Sequence, residues 1–231
     1  MNPAQPLDER PVTSLRGVGP SLAATLERLG LRTVQDLLFH LPLRYEDRTR
    51  VVPIGTLRTG DRAVIEGEIQ LAEVVFRKRR ALLCRITDGS GFLTLRFFHF
   101  SAAQQAALTR GARLRCFGEA RLGPGGLEIV HPEYRQVTPG AGTHADDSLT
   151  PVYPTTEGVQ QGRMRMLTGQ ALAQLTGGGL RDWVAPDVLG TVGLPSLEAA
   201  LRYVHRPPPD ADIAALNEGR HPAQRRLAFE E

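Results

Sequence analysis

Three phenylalanines in four positions, Phe97, Phe98 and Phe100, follow Arg96 in this sequence. A flat ring beside a guanidinium suits one chemistry well: it stacks on a nucleobase while the cation meets a phosphate. Ahead of them, Asp88-Gly-Ser-Gly91 reads as a tight turn. Phe92 to Phe98 reads as a strand in which Leu93 and Leu95 alternate with Thr94 and Arg96. Three aromatics are more than one strand face needs. Two readings stand: all three rings are core, or one sits at the strand rim and stacks on a base. His99, between the rings, is read as a satisfied polar neighbour rather than a DNA contact.

A second cluster is Arg77-Lys-Arg-Arg80, four cations in a row. It belongs to an uneven charge distribution. Residues 1–48 carry six Arg and six Asp/Glu, a balance of zero; residues 49–137 carry 14 Lys/Arg and eight Asp/Glu, a balance of +6. Residues 138–231 carry eight Arg and 11 Asp/Glu, a balance of −3. The positive excess sits with the aromatic strand, which points to a polyanionic partner.

The elements that position these residues are strands. Val64 to Phe76 reads as a long strand with a bend or bulge at Gly67. Arg77–Arg80 is its turn, Ala81 to Thr87 the return strand, and Phe92 to Phe98 the third. Ser101 caps a short helix to Leu108. Arg113 to Ala120 and Leu127 to Val130 follow, separated by a Gly123-Pro-Gly-Gly126 turn. Three strands, a helix and two strands are the order of the OB-fold, a five-stranded Greek-key barrel. That fold binds nucleic acid on its second and third strands and its first and last hairpin loops. Both clusters fall there.

The flanks are helical. Gly17-Val-Gly19 precedes a helix with Pro20 in its first turn and Leu22, Leu26 and Leu29 at helical spacing. A second helix is capped by Thr33 with Asp36 in the capping-box position, and Pro42 ends it. The pair resembles a helix-hairpin-helix, in which backbone N–H groups beside Gly17 and Gly19 would hold a phosphate. The alternative is a helical pair that only packs against its neighbours. Residues 138–148 read as a linker, with helices from about Arg163 to Leu175, Ser196 to Val204, and from near Ala223. The chain stops inside that last pattern with no cap, which reads as a fragment boundary.

Other chemistry is excluded or weak. The six His and two Cys show no metal-ligand spacing. Cys84 and Cys116 lie in apolar strands and read as buried, reduced thiols of a cytosolic protein. Glu66 and Glu68 read as a solvated strand face rather than a catalytic pair. Ser14, Ser90 and Ser101 lack a nucleophile-elbow context. No apolar run approaches membrane-spanning length, and no membrane partner is expected.

Several runs resemble the N-terminal part of the RecG family, bacterial ATP-dependent helicases of branched DNA. They are Leu15-Arg-Gly-Val-Gly-Pro20, Asp36-Leu-Leu-Phe-His-Leu-Pro-Leu-Arg-Tyr-Glu-Asp-Arg48, Arg96-Phe-Phe-His-Phe-Ser101, His131-Pro-Glu-Tyr134, Pro151-Val-Tyr-Pro154 and Glu218-Gly-Arg-His-Pro222. The resemblance covers nearly the whole chain. It implies an α+β, mainly β architecture: a helical segment over 1–48, an OB-fold wedge domain over 49–137, and an irregular helical region over 138–231 leading towards a motor. It implies a wedge that splits the arms of forks and junctions, with Phe98 at the family's main stacking position. Some relatives carry a second aromatic four residues later; here that position is Ala102, and Phe100 is the nearest substitute. ATP and magnesium are implied for the full-length helicase, with branched DNA and its own motor domain as partners, in a cytoplasmic, nucleoid-associated monomer acting in recombination and repair. This chain has no Gly-x-x-x-x-Gly-Lys-[Ser/Thr] loop, and Lys78 is followed by Arg79. No cofactor is expected here. The DNA-contacting set is then Phe98, Phe100, Arg96, Arg77, Lys78, Arg79, Arg80, Gly17 and Gly19. Two rival functions remain: an adaptor whose barrel binds a peptide or a motor domain, with the basic loop only a solvated hairpin, and a general single-strand binder.

Overall fold

The computed structural model describes residues 6–76, 79–137, 148–175 and 180–229. Arg77, Lys78 and the expected linker, apart from Ser148, lie outside them. In chain order the elements are α1 (Pro20–Glu27), α2 (Val34–Phe39), β1 (Arg44–Glu46), β2 (Arg62–Phe76), β3 (Arg80–Thr87), β4 (Phe92–Phe97), α3 (Ala102–Ala107), β5 (Arg113–Gly123) and β6 (Gly126–Val130). They continue with β7 (Glu133–Gln136), β8 (Thr150–Val152), α4 (Gln161–Leu172), α5 (Pro186–Val192), α6 (Leu197–His205), α7 (Ile213–Asn217) and α8 (Pro222–Ala228). They form two compact units, one from residues 48–147 and one from 1–47 together with 148–231.

The first of these is the barrel. The long β2 serves two neighbours. Its first half, Arg62–Glu68, pairs antiparallel with β5, and its second half, Glu68–Phe76, with β3. β3 pairs antiparallel with β4, β4 runs parallel to β6, and β6 returns antiparallel to β5. That circuit closes, with α3 between the third and fourth barrel strands. It is the OB-fold read from the strand order. The alternation explains why these segments are strands. Leu82, Cys84 and Ile86 of β3 and Leu93, Leu95 and Phe97 of β4 point inward and are buried; Arg85, Thr94 and Arg96 point outward. Leu108, just after α3, joins the same core.

Three local features differ from the sequence expectation. The irregularity in β2 falls between Ile69 and Leu71, not at Gly67. Gly67 answers a close approach instead, since a Cβ there would lie 3.0 Å from the Thr87 carbonyl oxygen. β5 continues to Gly123, three residues beyond the expected Ala120. β7 pairs with β5 as an extra strand.

The Asp88-Gly-Ser-Gly91 turn fastens the barrel's end. Asp88 accepts the Ile54 N–H at 2.8 Å and the Ser90 N–H at 2.9 Å. The Gly55 N–H donates to Ser90 Oγ at 2.9 Å. A Cβ on Gly55 would stand 2.4 Å from the Ser90 carbonyl oxygen, so only glycine fits. Arg48 lies over the Phe117 ring at 3.6 Å and bonds Glu133 through both terminal nitrogens at 2.9 and 3.1 Å. Cys84 and Cys116 are free and buried, and burial pushes the Cys84 thiol up to about 11.

The second unit corrects the domain reading. The sequence divides residues 1–48 from 138–231, yet both segments share one core. Leu26 of α1, Leu37 and Leu38 of α2, Leu167 of α4, Leu201 of α6 and Leu227 of α8 belong to it. β1 pairs antiparallel with β8, Arg44 opposite Val152 and Glu46 opposite Thr150. Thr33 and Asp36 make the expected capping box. His205 is buried. Its Nε2 donates to the Leu38 carbonyl at 2.8 Å, which leaves Nδ1 to accept the Tyr153 hydroxyl at 2.9 Å. Burial holds its pKa near 4, so the ring is neutral at pH 7. α5 and α7 were not expected from the sequence.

Candidate nucleic-acid interface

Strand pleating sorts the aromatic run. Phe97 continues the inward row and is 2% exposed; Phe98, the next residue, is 36% exposed. Of the two readings open for these rings, Phe97 is core and Phe98 is the rim residue. Phe100 is neither. It packs partly buried against the barrel core, and the Arg80 guanidinium lies 4.5 Å over its ring. With part of its ring taken up by the barrel core, Phe100 offers less free surface than Phe98.

Phe98 stands at one end of a groove of about 590 Å³ on the outer barrel face. Val75 of β2, Leu83 of β3, Thr94 and Arg96 of β4, and Glu128 of β6 line it; Arg79 closes one end and Pro124-Gly125 the other. These are the first and last hairpins of the barrel and its second and third strands, the positions where such a fold carries ligands. Arg79 and Arg80 are both exposed.

Arg96 does not point freely into this groove. Its Nε and Nη2 both bond Glu128 Oε2, at 2.9 and 2.6 Å, and both side chains are mostly buried. The guanidinium also sits 5.9 Å from the Phe98 ring centroid. Arg96 therefore neutralises the groove floor and flanks the ring. Glu66, expected on a solvated strand face, binds Arg113 and Arg115 instead.

The residue the sequence reading missed is His131. It is the one non-glycine residue with positive φ among those described, at +48°. Its N–H donates to the Arg96 carbonyl at 2.8 Å, and its Nε2 accepts the Phe98 N–H at 3.2 Å. Its ring lies 5.8 Å from that of Phe98 and stacks on His99, also at 5.8 Å. His99 is exposed on its other side. Burial, with His99 alongside, holds the His131 pKa below the ordinary imidazole value. Neutral His131 has the lone pair that Phe98 needs; the imidazolium does not. The support for Phe98 is thus complete above about pH 6.5 and is lost as pH falls through the depressed pKa. If this face binds forked DNA, His131→Gln, whose Oε1 reaches about as far as Nε2 and keeps the acceptor, should bind it nearly as well as the parent. His131→Val should lose roughly two- to tenfold, the value of one hydrogen bond. Equal affinities for the two variants in a fluorescence titration would exclude this role.

Gly17 and Gly19 lie in the other unit. Gly19 is the N-cap of α1. The Gly17 carbonyl accepts from Arg163 at 3.1 Å, and Gln170 grips both the N–H and the carbonyl of Arg16, at 2.8 and 3.1 Å. The loop is strapped to α4.

No group of three His, Cys, Asp or Glu among the described residues could hold a metal ion. No helix among them is long and apolar enough to cross a membrane.

A closed barrel with an exposed aromatic at the head of an arginine-bordered groove defines the class: an OB-fold module with a groove on its second- and third-strand face. The family model described as the RecG wedge domain matches residues 11–175, and the chain belongs to that family. It is 48% identical over 225 residues to the ATP-dependent DNA helicase RecG of Escherichia coli (strain K12), covering 97% of this chain and 32% of that protein. It is 26% identical over 208 residues to the protein of the same name from Staphylococcus aureus (strain MRSA252), covering 86% and 29%. The chain thus spans about a third of the length of these curated relatives. A solved structure described as RecG bound to a three-way DNA junction superimposes with a TM-score of 0.75 at 25% identity, over 96% of this chain and 29% of that one.

Proposed function

We propose that this chain is the branched-DNA recognition and strand-separating wedge portion of an ATP-dependent DNA helicase acting in recombination and repair. Phe98 carries the reading: an exposed ring at the end of a strand, braced from behind by His131, at the mouth of a groove bordered by Arg79. In this role Phe98 caps the last base pair beside the branch while the basic hairpin, Arg77 to Arg80, holds backbone phosphates. ATP hydrolysis belongs to a motor domain elsewhere in a longer protein, since this chain carries no phosphate-binding loop. The partners are forks or junctions and that motor, and the protein works as a monomer in the nucleoid. The match to a junction-bound RecG structure supports DNA as the ligand.

Nuclease footprinting on a three-way junction, a plain duplex and a single strand tests it. Protection centred on the branch is expected. Protection of the single strand alone would favour a general single-strand binder, and none at all an adaptor. In the same experiment, log affinity should fall linearly with log salt, by about 0.9 for each phosphate neutralised. Replacing Arg77, Lys78, Arg79 and Arg80 with Ala should flatten that line by a similar amount for each phosphate that no longer meets a cation. An unchanged slope would make this hairpin a solvated turn.

A further inference from the structure

We propose that the outer face of β4 carries a second base-stacking platform, Phe92 beneath Arg85, that takes an unpaired nucleotide of the strand peeled away at Phe98. The proposal rests on the wedge reading above and extends it from a point to a path. β4 alternates, so Phe92, Thr94, Arg96 and Phe98 share the outward face while Leu93, Leu95 and Phe97 fill the core. An aromatic therefore stands at each end of one face. Each has an arginine from the same sheet beside it: Arg96 lies 5.9 Å from the Phe98 centroid, and Arg85 of β3 lies 4.6 Å from that of Phe92. Phe92 is 58% exposed, more than Phe98, and Arg85 is exposed with it.

What lies between the two rings suits a passing strand. Thr94 and Leu83 are small or apolar, and the Glu128 carboxylate, which would repel a phosphate, is held by Arg96; the exposed Glu73 lies on the β2 side of the groove, so the open track for a phosphate backbone runs along β4. The groove reaches Pro124-Gly125, and the parallel register that sets Thr94 beside Glu128 brings the start of β6 level with Phe92. Six residues of strand span about 20 Å. That is roughly three extended or six stacked nucleotides, given a stacked rise of about 3.4 Å. The stacked count lies within the roughly 4 to 16 nucleotides that one such barrel occupies, and the extended count just below it. A guanidinium on a phenyl ring offers a flat cationic surface on which any base stacks without regard to sequence.

The test uses this chain and two probes: a three-way junction with all arms paired, and the same junction with one arm single-stranded over at least eight nucleotides. Phe92→Ala should weaken binding of the second probe by roughly five- to 100-fold, as one stacked base predicts, and leave the paired junction unchanged. Phe92→Trp should retain full affinity. In the parent chain, 2-aminopurine walked along the single-stranded arm should show a second quenched position three to six nucleotides from the branch, absent in Phe92→Ala. If Phe98→Ala weakens both probes but Phe92→Ala weakens neither, the platform does not exist and the wedge stands. If Phe92→Ala lowers the melting temperature and weakens both probes alike, Phe92 is structural and the proposal falls. If Phe98→Ala changes neither probe, the wedge reading itself is wrong.

Discussion

Phe98→Ala is expected to weaken binding to a three-way junction by roughly five- to 100-fold, the ~1–3 kcal/mol of one base–aromatic stack, with little change on plain duplex. A duplex offers no unstacked base, so it has nothing for the ring to cap. The variant should fold, because Phe98 is 36% exposed and the strand ends just before it. A stability loss of no more than about 1 kcal/mol is expected, from its contact with His131. Binding isotherms on both DNAs together with a melting curve decide the matter. Equal losses on junction and duplex, or a large fall in melting temperature, would remove Phe98 from the wedge.

The neighbouring change should do the opposite. Phe97→Ala empties a site that is 2% exposed, where the ring meets Tyr134 edge-on at 5.6 Å and His131 at 6.2 Å. Such truncations cost ~3–5 kcal/mol. For a barrel of about 100 residues each kcal/mol is worth about 4–8 °C, so a fall of well over 10 °C is expected. Junction and duplex binding should then be lost together on warming, in step with unfolding. A Phe97→Ala variant that melts like the parent yet binds junctions poorly would exchange the roles of the two rings.

The contrast between these adjacent residues shows how far the sequence could be read. Strand alternation is a local signal, so the barrel strands were legible in Leu82-Leu-Cys-Arg-Ile86 and Leu93-Thr-Leu95, as was the outward placing of Arg96. The run Phe97-Phe98-His99-Phe100 breaks the alternation with rings throughout, and only the pleat separates core from rim. Pairings across the barrel were not legible. Arg96 looked like a free cation because its partner Glu128 is 32 residues away. His131 gave no composition signal at all. Its importance comes from a left-handed backbone and one acceptor nitrogen, both set by tertiary contacts.

The helical flanks show the same limit. β1 and β8 are three residues each, too short for any period to show, and they meet across more than 100 residues. α5 and α7 span seven and five residues. The specific run Leu41-Pro-Leu-Arg-Tyr-Glu-Asp-Arg48 turns out to be architectural. The Tyr45 hydroxyl donates to the Val204 carbonyl at 2.7 Å, and Arg48 is committed to Glu133 and Phe117. Likewise His221 caps α8 and stacks on Tyr203 at 4.0 Å. Runs that identify the family therefore need not mark the surface that binds.

The β1–β8 pair has an implication for how this polypeptide can be cut and rejoined. Neighbouring strands run about 4.8 Å apart, so the chain leaves for residues 48–147 and comes back through two points fixed one strand-width from each other. In chain order, residues 48–147 are thus an insert whose two ends meet at the β1–β8 pair. A short glycine bridge joining Asp47 to Ser148 should close the gap without disturbing the helices that share its core. By the same logic, an unrelated barrel whose ends lie equally close could be spliced in as a cassette. One barrel would then be exchangeable for another by a single excision, with every residue of the helical unit left in place.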